Sequence, residues 1–521
     1  MTQPLVKLLD RLSTLDKAFL LIEEETQLMT IAGAWIFDEC PAEDRVVQDL
    51  TRWVTMFPVF RARLNGDLWE DFADFDLREH LHVVTLPSPG GKRELEAYMS
   101  KVMSTPFDMT RPLWSAHLIS GLNGKGAAYF IALHHCISDG QGAIRMTLSL
   151  FAGSEEAKIA GAGHTVKPRP KSRSPATAKE RHQATIARGF RACGSSGEAV
   201  FTFLLNIGVI FLLSVFLAIL EWILVRIVAV LAAGINWLVF MISPKKVFNK
   251  PTGTRKQVAY SELLDLDEVK QVGRSTGATV NDVLISNLTS TIRKYLESTG
   301  ELHKEREITC LVPVSVRRPD DWQLGNKVSL VLLNLPIHVS DPVERLKVVK
   351  RRLDRVKISR ETDIAFLNIK VSLNLIPKFV RDPLLRWFMN KFHILLTNVP
   401  GPSEQLVFCG QPVKEYYSFV PQPSKGGLGM CVLSYRGKVS LSLNADVGHI
   451  TPDTSSLLNE FTREFRQLKA AVEKAHPTPA NEEPKSPASP TSPSHPTADP
   501  LTEKERPDSG FNSGNSSDAE E

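Results

Sequence analysis

Cysteine is scarce in these 521 residues: Cys40, Cys136, Cys193, Cys310, Cys409 and Cys431 are scattered, with no CxxC spacing. That excludes a zinc ribbon and a disulfide-stapled secreted module, and reduced thiols facing the cytosol are the expectation. Net charge is small as well. A formal +4 predicts no partner by itself. No leader is expected at the start, because Lys7, Asp10 and Arg11 interrupt "MTQPLVKLLDRLS". No Ser or Cys lies in a recognisable nucleophile elbow, so a covalent nucleophile is not expected.

What is present is a globular composition, 43% hydrophobic and 23% charged, neither disordered nor polytopic. The length exceeds one ordinary core and predicts two lobes plus extras. Residues 1–155 alternate strand-like runs ("TIAGAWIF", "AAYFIAL") with amphipathic patches ("RELEAYMSKVM", "GAIRMTLSLF"), a mixed α/β texture. The same texture returns over 255–475 in "GATVNDVLISNLTSTIRKYLE", with a helix cap expected at Thr279 or Asn281, and in the strand-like "REITCLVPVSV", "NKVSLVLLNLPI", "FHILLTNVP" and "KVSLSLNADV". Residues 476–521 are rich in Pro and Ser and predict a disordered tail. Nine acidic residues against three basic ones between Asn481 and Glu521 make that tail acidic.

Between the two α/β regions lie a basic linker and an apolar segment. Within the linker, 156–198, the stretch Lys167–Arg191 carries eight Lys/Arg and the single acid Glu180. No aromatic platform accompanies those charges, so anionic phosphate near a membrane is favoured over nucleic acid. The segment 199–243 begins with Ala199–Leu220, "AVFTFLLNIGVIFLLSVFLAIL", which has no charge. About 20 such residues in a helix reach the ~30 Å of a bilayer core. After Glu221 a second stretch, Trp222–Ile242, is broken only by Arg226. Lys245, Lys246, Lys250, Arg255 and Lys256 follow, so basic residues flank both ends and put both flanks in the cytosol. A hairpin or two passes satisfies this. A long interfacial helix is the alternative.

The stretch that carries chemistry is "HHCISDG", residues 134–140, directly after the apolar run 127–133. A neutral imidazole can take a proton from a hydroxyl and return it to a leaving group. Strand alternation assigns the base to His135 and an orienting or packing role to His134. Asp139 is expected to fix the turn rather than transfer a proton, and Gly140 to supply the left-handed backbone of a tight turn. The Cys136 side chain is expected to point away from the cleft.

With its neighbours, this motif resembles the wax ester synthase/acyl-CoA:diacylglycerol acyltransferase family, a branch of the two-lobed acyltransferases that include chloramphenicol acetyltransferase and peptide-synthetase condensation domains. His134, His135, Asp139 and Gly140 reproduce HHxxxDG. "LSTLDKAFL" from Leu12 is similar to the family's opening segment, and "PFDMTRPLW" from Pro106 to its PLDxxRPLW stretch. "ATVNDVL" holds the Asn281–Asp282 pair, "VPVSVR" spans Val312–Arg317, "LGN" spans Leu324–Asn326 and "TNVPGP" spans Thr397–Pro402. The stretch 195–245 and the tail have no counterpart in the resemblance.

The resemblance implies an α/β chloramphenicol-acetyltransferase-like fold of two lobes across a tunnel; the apolar segment, on its own hydropathy, is expected to insert in a membrane between them. It implies transfer of a fatty acyl group from acyl-CoA, the substrate, to a long-chain alcohol or diacylglycerol, with no cofactor and no metal. Asn281 and Asp282 would serve the oxyanion or position substrate. Asn398, Pro400 and Gly401 are expected to shape a rigid loop near the cleft. Membrane lipid is an expected partner, and the endoplasmic reticulum with both lobes cytosolic the expected location, with lipid droplet or plasma membrane as alternatives. A non-catalytic lipid-binding protein, or an acyltransferase for another acceptor, are the competing readings.

Overall fold

Period-two alternation builds the first sheet. In the strand Thr30–Phe37, Ile31, Trp35 and Phe37 enter one apolar cluster while Ala32, Ala34 and Ile36 enter another. The strand Gly126–His134 divides in the same way, Tyr129, Ile131 and Leu133 to one face, Ala128, Phe130 and Ala132 to the other. Side chains leave a strand on alternate faces, and here both faces are covered. The covering helix Lys92–Met103 presents Leu95, Met99 and Met103 at helical spacing. On the opposite face, Trp53 from the helix Glu43–Met56 stacks on Phe60 and meets Trp114 edge-on. Each such aromatic contributes about 1.5–3 kcal/mol on burial.

The computed structural model describes residues 11–151, 209, 211–217, 220–221, 253–302, 307–318, 321, 325–359, 361–423, 427–450 and 453–475. The first sheet has five strands in the order Glu415–Phe419, Thr30–Phe37, Gly126–His134, Trp114–Leu122, Leu81–Thr85. Its first member comes from the C-terminal half and pairs antiparallel with Thr30–Phe37, Ala32 opposite Phe419. The division into lobes at 155 and 255 is therefore crossed by one strand.

The second sheet runs Val328–Leu335, Ile308–Ser315, Ile394–Pro400, Leu428–Tyr435, Lys438–Asp446, Lys256–Tyr260, with Leu264–Asp265 paired to Lys438–Asp446. The helices Val280–Ser298 and Thr454–Ala475 cover it through Val283, Leu288, Ile292, Phe461 and Phe465. The expected cap at Thr279 is present, as a reciprocal box with Asp282.

Of the apolar segment 199–243, most lies outside the described residues, as do the basic linker and the tail. Its described residues 209, 211–217 and 220–221 are helical and exposed, Phe211, Leu212 and Phe216 among them. Among the described residues, no helix is long and apolar enough to cross a membrane. Lys256 requires a correction. It does not belong to a basic flank, because its side chain is buried against Asp446 and donates to the Thr26 carbonyl at 2.6 Å.

Candidate active site

The histidine turn forms where the strand Gly126–His134 hands over to the helix Gly140–Leu148. Backbone bonds fix it: the His135 N–H donates to the Met29 carbonyl at 2.8 Å and the Ile137 N–H to the His134 carbonyl at 3.1 Å. Asp139 caps the helix, its Oδ1 accepting the Gly142 N–H at 2.8 Å. Its Oδ2 accepts the Lys327 N–H at 2.8 Å and Arg317 Nη2 at 2.9 Å. Both partners of the Asp139–Arg317 pair are buried, and Arg317 Nη2 also donates to the Gly325 carbonyl at 2.6 Å. The structure thus gives Asp139 a clamping position that joins the motif turn to the C-terminal half. Gly140 differs from expectation. It opens the helix without a positive φ, and a Cβ there would enter open space at the cavity wall.

The two histidines occupy different surroundings. His134 is fully buried, and its Nδ1 accepts the Cys136 N–H at 3.0 Å. Its proton therefore sits on Nε2, which meets the Glu23 carboxylate. His135 lines the cavity, with Phe19 stacked on its ring at 3.8 Å between centroids and 10° between planes. Its Nδ1 is buried without a hydrogen-bond partner among the described residues, which leaves Nε2 as the nitrogen for the cavity. Burial pulls the His135 imidazole down to about 4, against smaller opposing contributions from its own backbone, from Asp139 and from Asn326. Cys136 lies in the apolar core, and burial pushes its thiol up.

Residues of the C-terminal half close the site. Asn326 donates from Nδ2 to the His135 carbonyl at 2.8 Å and to Asp16 Oδ1 at 2.8 Å, while its backbone N–H reaches the same Oδ1 at 2.7 Å. Asn281 Oδ1 accepts Asn398 Nδ2 at 2.8 Å. The Asn281 amide N–H groups have no partner among the described residues, and both asparagines line the cavity that holds His135. That cavity has a volume near 640 Å³. A second, of about 330 Å³, shares Asn281, Val312, Val314 and Asn398 with it.

Four expected positions come out differently. Asp282 is buried as the reciprocal partner of Thr279, whose N–H it accepts at 2.8 Å, and does not line the main cavity. Asn398 lies within the strand Ile394–Pro400 rather than in a loop. Pro400 ends that strand and Gly401 packs against the Ser434 carbonyl, and neither lines the cavity.

Residues 12–284 match the wax ester synthase/diacylglycerol acyltransferase catalytic domain, and residues 324–469 the WS/DGAT C-terminal domain. The chain belongs to the wax ester synthase/diacylglycerol acyltransferase family. The O-acyltransferase WSD of Acinetobacter baylyi is 26% identical over 481 residues, 89% of this chain and 98% of that one. A Mycobacterium tuberculosis relative named as the diacylglycerol O-acyltransferase tgs2 is 27% identical over 476 residues, 88% of this chain and 98% of that one. Among solved structures, the wax ester synthase/diacylglycerol acyltransferase from Marinobacter aquaeolei VT8 superposes with a TM-score of 0.57 at 21% identity, over 90% of this chain and 100% of that one. The first condensation domain of the calcium-dependent antibiotic synthetase gives 0.53 at 14% identity, over 89% and 96%. Both share the two-lobed α/β fold.

This family member, an O-acyltransferase, places four further residues at its site that the sequence does not single out. Asp16, Phe19 and Glu23 all lie on or just after the helix Thr14–Ile22, and Arg317 ends the "VPVSVR" stretch. A signal existed for the helix, since Ser13 and Asp16 form a capping box. Nothing local announced which of its side chains would meet a turn more than a hundred residues further on.

Proposed function

We propose that this acyltransferase moves a fatty acyl group from its CoA thioester to the hydroxyl of a long-chain alcohol or of diacylglycerol, giving wax ester or triacylglycerol. The observation that carries the reading is a half-buried imidazole, neutral at pH 7, in the wall of a largely apolar 640 Å³ cavity. His135 Nε2 takes the hydroxyl proton as the acceptor oxygen attacks the thioester carbonyl. The new C–O bond forms, the C–S bond breaks, and the same proton passes to the departing thiolate. General base catalysis of this kind accounts for ~10²–10⁴-fold.

The Asn281 amide is the first candidate donor to the oxyanion, because its N–H groups have no partner among the described residues and it lines the cavity that holds the base. Asp139, Asn326 and Phe19 position the ring without touching the reacting atoms. Acyl-CoA enters as substrate, and the chemistry calls for no cofactor.

The reading includes a membrane setting, on the cytosolic face of the endoplasmic reticulum or on a lipid droplet. The uncharged run Ala199–Leu220 and the exposure of Phe211, Leu212 and Phe216 support it. Protease added to sealed microsomes is expected to cleave both halves and the tail, and protection of any of them overturns that setting.

The deciding experiment supplies the purified full chain with labelled acyl-CoA and a panel of alcohols, diacylglycerols and amines. Ester from a lipid hydroxyl is expected, and His135→Ala is expected to abolish it. Amide alone, or unchanged ester from the alanine variant, sinks the reading.

A further inference from the structure

The rim of the cavity carries an apolar surface that the acyl-transfer chemistry does not use. The helices Glu361–Leu375 and Lys378–Met389 pack beside the site. From the second, Leu384, Leu385, Phe388 and Met389 line the cavity. Its outer side is apolar too: Phe379 is 81% exposed, Val380 and Trp387 45%, and Leu384 43%, with Leu375 of the preceding helix at 76%. Other exposed large apolar side chains among the described residues outside 209–220, such as Leu68, Val83, Met109 and Val447, are scattered through the sequence. Scattered exposure is ordinary, whereas a contiguous apolar patch marks a docking surface.

Charge identifies what docks. Between positions 370 and 391 the chain has Lys370, Lys378, Arg381, Arg386 and Lys391 against the single acid Asp382. Lys391 Nζ lies 4.5 Å from the Trp387 ring centroid, and Lys370 Nζ 4.5 Å from that of Phe366. Cations set beside aromatic side chains suit the boundary between acyl chains and anionic headgroups. The patch is also continuous with the cavity through Leu384, which is both exposed and part of the lining.

We propose that the outer face formed by Leu375, Phe379, Val380, Leu384 and Trp387 docks on an anionic lipid surface and sets the cavity mouth against it. This is a contact separate from the apolar segment 199–243. It lets a lipid acceptor pass from the acyl-chain layer to His135 without crossing water. The inference rests on the acyl-transfer reading only for the identity of what passes.

The test uses the full chain with vesicles of phosphatidylcholine, alone or mixed with phosphatidylserine, and with lipid brominated in the acyl chain. Bromolipid is expected to quench the wild-type tryptophan emission more than that of Trp387→Phe, with a difference that grows with phosphatidylserine and shrinks with salt. Equal quenching overturns the proposal. The double variant L375E/F379E is expected to lose about tenfold or more activity on an acceptor held in vesicles, while activity on a short water-soluble alcohol is kept. Equal loss on both acceptors, no loss on either, or a change of oligomeric mass in the variant overturns docking, the last in favour of contact between copies. Should the wild type esterify neither acceptor, the acyl-transfer reading fails, and the quenching comparison still decides the docking.

Discussion

Phe19 lies flat against His135, ring centroids 3.8 Å apart, so the proposed general base is backed by a ring from the opening helix rather than by a carboxylate. Stacking of this kind contributes about 0.5–1.5 kcal/mol. Phe19→Ala is expected to lower kcat by roughly 2–10-fold with a smaller change in KM. Phe19→Tyr, which keeps the ring, is expected to restore most of the rate. Steady-state kinetics on both variants checks this.

Arg317 is the buried partner of Asp139. Removing one member of such a pair leaves a buried charge and costs about 3–5 kcal/mol. Arg317→Met is therefore expected to destabilise the chain by that amount, seen as a lower urea midpoint. Arg317→Met together with Asp139→Asn is expected to recover part of it, and no recovery would show that the two residues act independently.

Asn326 holds the His135 carbonyl and Asp16 with one amide nitrogen. Burial raises the Asp16 carboxyl, against the Ser13 and Asn326 hydrogen bonds that lower it. Asn326→Ala strips donors from two buried acceptors, at about 1–3 kcal/mol each. Loss of stability and of kcat together is the expected outcome, while a loss of stability alone would separate the clamp from catalysis.

Asn281 gives the most discriminating kinetic test. An oxyanion donor is worth about 10²–10³ in kcat. Asn281→Ala is expected to lose that factor with KM nearly unchanged, and Asn398→Ala to lose less, because it removes only the partner that orients the Asn281 amide. Equal, small losses would make the pair a packing contact.

Acid sensitivity follows from burial. His135 is pulled down to about 4 and His117 to about 3, both chiefly by desolvation. In the unfolded chain these rings take protons near pH 6.5. Between pH 6.5 and about 4 the unfolded state thus binds more protons, and stability rises with pH through that window. Urea midpoints are expected to increase from pH 4 to 6.5 and then level off. The acidic limb of kcat/KM is expected to lie well below 6.5, and a limb near 6.5 would show a base in ordinary solvent contact.

Local patterns carried the parts of this fold that local physics determines. The strands at 30–37 and 126–134 were legible because both faces of each are apolar and turn residues bound them. Thr279 was legible as a cap because Asp282 follows at the right offset. That same geometry shows why Asn281 and Asp282 could not be treated as a unit. Consecutive helical residues point about 100° apart, so one meets the cavity while the other is spent on the cap. Lys256 illustrates the converse. In sequence it looks like one more flanking cation, and only pairing of its strand with Lys438–Asp446 brings Asp446 to it. Arg317, Asp16 and Glu23 were illegible for the same reason, since their partners lie in distant segments.

The strand Glu415–Phe419 caps the border of the sheet that carries the histidine turn. A fragment ending before it would leave Thr30–Phe37, apolar on both sides, with open backbone hydrogen-bonding groups, a template for aggregation. The two halves are thus committed to one another during folding. Co-expression of separated halves should yield soluble protein only when the piece bearing this strand is supplied along with the other.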